Sequence, residues 1–167
     1  MLPGGPRTPR AGGQGERVDD LGLWEARDKE RHLLSSKVLC WVAVELDASV
    51  LVLPLVGFLP ADDERTWATI GTIEAQLGDT GEIRRWADDP YGFVICSFWL
   101  VECLALGGDA ERAQAWFARA ANTANDLGLM AEEYDPERGE PLGNFPQAFS
   151  HVGLINAAHR LTETARG

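Results

Sequence analysis

The sequence predicts an all-α fold in which inner and outer helices alternate, and three observations carry that reading. Two segments place apolar residues at helical spacing between an acidic start and a glycine stop. Two others, Leu46 to Phe58 and Phe93 to Leu106, are apolar nearly all round, which a helix tolerates only when neighbours cover every side. Those two runs could also be buried strands, but they mix Leu, Ala and Cys with Val and lack hairpin turn signals, so helix is expected throughout.

Taken in order, Met1 to Gly15 is rich in Pro, Gly and Arg and has no apolar run of the secretory kind, so residues 1–18 are expected to be disordered and residues 19–167 to form one domain. Ser35 to Ala43 reads as a helix, with Lys37 and Trp41 on an inner element. Leu46 to Phe58 reads as another inner helix. Asp62 is the expected N-cap of an outer helix, with Asp63 and Glu64 in its first turn, Trp67, Ile70, Ile73 and Leu77 on its buried face, and Gly78 at its end. Phe93 to Leu106 is the next inner helix. Asp109 opens a second outer helix through Ala113, Trp116, Phe117, Ala120, Ala121, Ala124 and Leu127, stopped by Gly128. A final inner helix is expected after the loop, with Asn144 as cap and Pro146 in its first turn. Superposing Asp62 on Asp109 gives a repeat of roughly 47 residues, which brings Glu64-Arg65 onto Glu111-Arg112. Such pairs build either an open solenoid or a closed double ring of helices.

With 167 residues, 45% of them apolar, the chain can bury one sizeable core. A net charge of −11 repels phosphate backbones and anionic head groups, which argues against nucleic acid and membrane surfaces as partners. No apolar run is long enough to cross a bilayer. Cys40, Cys96 and Cys103 lack the paired spacing of a zinc site or disulfide framework, so reduced core thiols and a cytoplasmic location are expected. Three scattered histidines argue against a metal, and His151 reads as an interior histidine with its hydrogen bonds satisfied. No cofactor is expected.

Two stretches stand out for chemistry. One is Gly22-Leu-Trp-Glu-Ala-Arg27 followed by Ser35 to Ala43; the other is Leu127-Gly-Leu-Met-Ala-Glu-Glu-Tyr-Asp-Pro136 followed by Leu142-Gly-Asn-Phe-Pro-Gln-Ala-Phe-Ser-His-Val-Gly-Leu-Ile-Asn-Ala157. Taken alone, Glu25 is one of 26 acidic residues, and a solvated surface charge is its plain reading. These stretches, together with Leu53-Pro-Leu-Val-Gly-Phe-Leu-Pro-Ala-Asp-Asp63 and Cys96-Ser-Phe-Trp-Leu100, resemble the glucoamylase family, glycoside hydrolase family fifteen, which includes bacterial trehalases. The resemblance runs through most of Leu21 to Leu161. It implies an incomplete (α/α)6 barrel of about three helix pairs and inverting hydrolysis of α-glucosidic bonds in malto-oligosaccharides or trehalose.

By that resemblance Glu25 is the general acid, its pKa raised by the apolar wall of Trp24, and Glu132 the general base that activates water, with the two carboxyl groups about 6.5–9.5 Å apart. Glu133 is the alternative base. Trp24, Arg27, Glu133 and Tyr134 are the expected substrate contacts, while Tyr134 and Asp135 also suit a turn before Pro136. Compared with the family, the chain lacks an N-terminal β-sandwich and the first helix pairs, runs Val44-Glu45 straight into Leu46-Asp47, and shortens the loop Arg85 to Gly92. The inner faces so exposed call for a partner chain. A second expectation is therefore a catalytically inactive remnant or helical interaction module.

Overall fold

The structure, a computed structural model, describes residues 46–78 and 81–166. Trp24, Glu25, Arg27, Lys37, Cys40 and Trp41 lie outside the described residues, as does the expected disordered segment 1–18.

A 3₁₀ turn, Ala48–Leu51, opens the fold and continues into the short helix α1, Val52–Leu55. The Asp47 carboxylate caps the turn by accepting the Ser49 N–H at 2.8 Å. The inner helix expected over Leu46 to Phe58 is thus about half as long. Its end is marked by Gly57, which takes a positive φ of 74° that a β-carbon would strain. The amphipathic α2, Glu64–Leu77, follows with Ile70, Ile73 and Leu77 buried. Its N-cap is Asp63 rather than Asp62, because it is Asp63 that accepts the Arg65 N–H, at 2.9 Å. The repeat offset shortens by one residue accordingly, since the next outer helix does begin after Asp109.

The inner helix α3, Val94–Leu106, is buried along almost its entire length, as its all-round apolar sequence requires. Its neighbour α4, Ala110–Ala121, presents Ala113, Trp116 and Ala120 to the core. Asp109 caps it through the Arg112 N–H at 3.1 Å. The helical pattern overran its true end: Asn125 accepts the N–H groups of Leu127 and Leu129 through its side chain, a turn that competes with the helix and leaves Leu127 exposed. Glu74 on α2 ties the two outer helices together by accepting from Arg112 and from Trp116 Nε1.

The helical expectation leaves out one small feature. Between the helices lies a small antiparallel sheet of β1 (Gly92–Phe93), β2 (Glu133–Asp135) and β3 (Glu140–Leu142), in the order β1-β2-β3. The hairpin signal was present in Asp135-Pro-Glu-Arg-Gly139: the Asp135 carboxylate accepts the N–H groups of Glu137 and Arg138, and Gly139 closes the turn at φ 69°. This bears out the turn-forming role of Asp135.

The last helix, α5, Ala148–Thr164, lies against α3 through Ser150, Gly153 and Ala157. It starts after Gln147 and not at Asn144, since the Asn144 main chain is engaged with Glu132. Gly153 permits the close approach, for a β-carbon there would sit 3.1 Å from Cβ of Phe98. Its opposite face leaves Phe149, Val152 and Ile155 about half or more exposed.

Each inner element is held near its start by a main-chain bond: Ala48 N–H donates to Arg85 O, Val94 N–H to Glu132 O, and Gln147 N–H to Met130 O, and α2 and α4 carry the chain between the inner elements. The arrangement is an arc of helix pairs, an incomplete helical barrel with its inner-helix N-termini gathered at one end.

Candidate functional site

That shared end is where Glu132, the general base that the resemblance implies, lies. Its main chain is held on both sides, the N–H by Asn144 O and the carbonyl by Val94 N–H, each at 3.0 Å. Its side chain is held as well, because Oε2 accepts the Asn144 N–H at 3.2 Å. Gly143 makes this possible twice over: it adopts φ 73°, and a β-carbon in its place would lie 2.9 Å from Glu132 Oε2. Glu132 is thus a partly exposed carboxylate fixed by backbone at the N-terminal ends of two inner helices.

Glu133 is its neighbour on β2, half-buried, and its pKa is raised first by burial and then by the charges of Glu132 and Asp89. Asp89 comes from the loop Arg85 to Gly92, where its carboxylate accepts the Trp86 N–H at 3.1 Å. Arg84 fastens that loop to α2 by donating to Ala87 O and Gln76 O. The loop is anchored below by Arg85, whose Nε donates to Asp47 Oδ1 at 2.8 Å with both side chains only 1% exposed. Glu132 and Asp89 therefore lie close enough to Glu133 for their charges to act on its carboxyl. Sequence reasoning named Glu132 and Glu133; Asp89 was visible only as part of a shortened loop.

Tyr134 is not gathered with them. It lines a separate pocket with Glu82, Arg119, Asn122, Thr123 and Pro136. There Glu82 is 2% exposed, and burial pushes its carboxyl up to about 7 against the opposing influence of the Ser97 hydroxyl and Arg119. Glu82 was missed because nothing in Gly-Glu-Ile-Arg marks a buried acid.

His151 accepts the Met130 N–H through Nε2 at 3.3 Å, the interior role expected of it. Burial raises the thiol pKa of both Cys96 and Cys103 well above the usual range. Among the described residues, no group of three His, Cys, Asp or Glu side chains is placed to hold a metal ion, and no helix is long and apolar enough to cross a membrane.

Against known proteins, the family model "Glycosyl hydrolases family 15" matches residues 44–159. The trehalase of Mycolicibacterium smegmatis is 34% identical over 195 aligned positions, covering 83% of this chain and 29% of that protein. That alignment is longer than the 167-residue chain, so it crosses positions that the relative has and this chain lacks. The trehalase of Thermoplasma acidophilum is 42% identical over 125 positions, covering 71% of this chain and 22% of that one. The chain spans less than a third of the length of either. Among solved structures, a "Glycosidase Wild Type" superposes with a TM-score of 0.63 at 22% identity, over 72% of this chain and 37% of that one, a likeness of fold. The family match over more than half of the sequence, with the helical arc that the superposition supports, makes this chain a member of glycosyl hydrolases family 15.

Proposed function

We propose that this chain carries the general-base part of an inverting hydrolase for α-glucosidic bonds, with trehalose as substrate and Glu132 as the base. The observation that supports it best is the double tether of Glu132 by Gly143-Asn144, which orients a solvent-accessible carboxylate at the open end of the arc. A base must be ionised to accept a proton from water. Glu133 is less suited, because burial and the charge of Glu132 favour its protonated form. Glu25 would supply the general acid, Trp24 and Arg27 would contact the sugar, and inversion requires the two carboxyl groups to stand about 6.5–9.5 Å apart with water between them. Trehalose is preferred to malto-oligosaccharides because the relatives described above are named trehalases. Buried, unreactive thiols suit the reducing cytoplasm.

A second reading has its own support. The chain spans less than a third of those relatives, and α5 leaves an apolar inner face exposed, as in a remnant or interaction module. One assay separates the two: release of β-glucose from trehalose and from maltotriose, with and without phosphate, by the full chain and its Glu132→Gln and Glu133→Gln variants. The enzyme reading expects Glu132→Gln to lose about 10²–10⁴-fold in kcat with its helical circular dichroism intact, and Glu133→Gln to lose far less. A larger loss in the Glu133 variant would reassign the base. No release by a folded parent chain would refute activity of this polypeptide alone.

A further inference from the structure

The pocket that Tyr134 lines encloses about 210 Å³ between the loop at Gly81, the C-terminal end of α4 and β2, and none of Glu132, Glu133 and Asp89 lines it. By liquid volume that is room for about seven water molecules, the space of one sugar ring and too little for an oligosaccharide.

Two of its lining residues are buried, Glu82 at 2% and Thr123 at 6% exposure. A β-carbon at Gly92 would overlap Cβ of Glu82, so the glycine of β1 is what lets Glu82 press against the sheet. The Ser97 hydroxyl accepts the Ile83 N–H at 2.9 Å and turns its own proton to the Glu82 carboxyl. Arg119 is held in place from outside: its guanidinium lies 4.6 Å from the centroid of the Trp116 ring and donates to Gly81 O at 3.4 Å. Asn122 is exposed beside it and offers an amide that both donates and accepts. Thr123 donates to Ala120 O at 2.8 Å, and Tyr134 adds a phenol and an apolar ring.

Charge selects the ligand. The lining carries one acidic and one basic side chain, so an anion meets Glu82 and a cation meets Arg119, on a chain whose net charge of −11 already disfavours anions. A zwitterion would have to strip water from an ammonium group beside a buried carboxyl, which is costly. A neutral ring bearing several hydroxyl groups escapes that cost, and each hydroxyl both donates and accepts, as this mixed lining requires.

We propose that this pocket is a second carbohydrate site, binding one neutral pyranose, a hexose such as glucose, between Glu82, Arg119, Asn122 and Tyr134. Binding there needs no turnover, so the site stands whether or not Glu132 acts as the base.

The test is a titration of the full, isotope-labelled chain with D-glucose, followed in amide proton–nitrogen correlation spectra at Gly81, Asn122 and Thr123, and at Glu132 and Asn144 for the catalytic candidate. Saturable shifts are expected at the first three, with a dissociation constant of roughly 1–10 mM, as a few hydrogen bonds to a small neutral ligand give. Arg119 and Asn122 are exposed, so Arg119→Met combined with Asn122→Ala removes donors without disturbing the core. That double variant should bind about tenfold or more weakly with its helical circular dichroism unchanged, and Tyr134→Phe, which keeps the ring, about two- to fivefold more weakly. An unchanged constant in the double variant would overturn the proposal. Shifts confined to Glu132 and Asn144 would also overturn it, as would shifts at Gly81 and Asn122 produced by glutamine and not by glucose. No shift at a glucose concentration about tenfold above the expected constant would refute it outright.

Discussion

Asp47 and Arg85 are 38 positions apart, and the pair joins the start of the first inner element to the loop that carries Asp89. Arg85 donates to Asp47 from Nε at 2.8 Å and from Nη2 at 3.3 Å; the Ser49 N–H donates to the same carboxylate, and Ala48 N–H bonds Arg85 O in parallel. Removing the carboxylate with Asp47→Ala takes from a buried guanidinium its described counter-charge and from the 3₁₀ turn its cap. Breaking a buried pair on one side costs about 3–5 kcal/mol. We therefore expect Asp47→Ala to destabilise the chain by about 4 kcal/mol, a large share of the roughly 5–15 kcal/mol of a typical domain. The corresponding fall in Tm is on the order of 15 °C. Replacing both partners by apolar residues, Asp47→Leu with Arg85→Met, should recover most of that loss, because neither charge then remains to be desolvated. Urea unfolding followed by helical circular dichroism measures all three proteins. Two outcomes would refute the reasoning: a loss below about 1 kcal/mol in the single variant, or a double variant no more stable than the single.

Two further perturbations follow from the same packing. Glu82 has a folded-state pKa raised from 4.5 to about 7 by burial, so its contribution to stability is fully present below pH 4.5 and is lost as pH rises through 7, by about 3 kcal/mol in order of magnitude. Unfolding free energies measured from pH 4 to 8 should show Glu82→Gln flattening that decline, and an unchanged slope would count against the burial argument. Gly153 sits against Phe98 and Ile95 where α5 crosses α3, so Gly153→Val should cost roughly 1–3 kcal/mol by forcing the helices apart. Gly153→Ala should come closer to neutral, since better helix propensity offsets a milder clash; equal stability of Val and wild type in thermal melts would show that the interface is loose.

Much of the helical architecture was legible because helices are local. Asp109 caps α4 through its neighbour Arg112, Ile70, Ile73 and Leu77 mark one face of α2 by their spacing, and the largely apolar run of α3, broken only by Ser97 and Glu102, announced its burial. Local signals also misled where a competing local signal was stronger. Asn125 turned the chain out of the α4 pattern, and Asp135 with Gly139 built a hairpin where helix or loop was expected.

By itself, then, the sequence determined an all-α arc of inner and outer helices, the family to which its motifs belong, and Glu132-Glu133 as the acidic pair to examine. Tertiary structure alone decided that Gly143-Asn144 grips Glu132, that Tyr134 turns away to a pocket with Glu82, that Asp47 meets Arg85, and that α5 and the α1–α2 edge keep apolar surface exposed. The division has a physical reason: caps and periodic faces are settled within a few residues, whereas burial of a charge, or the partner of a carboxylate, depends on which distant segments the folded chain brings together.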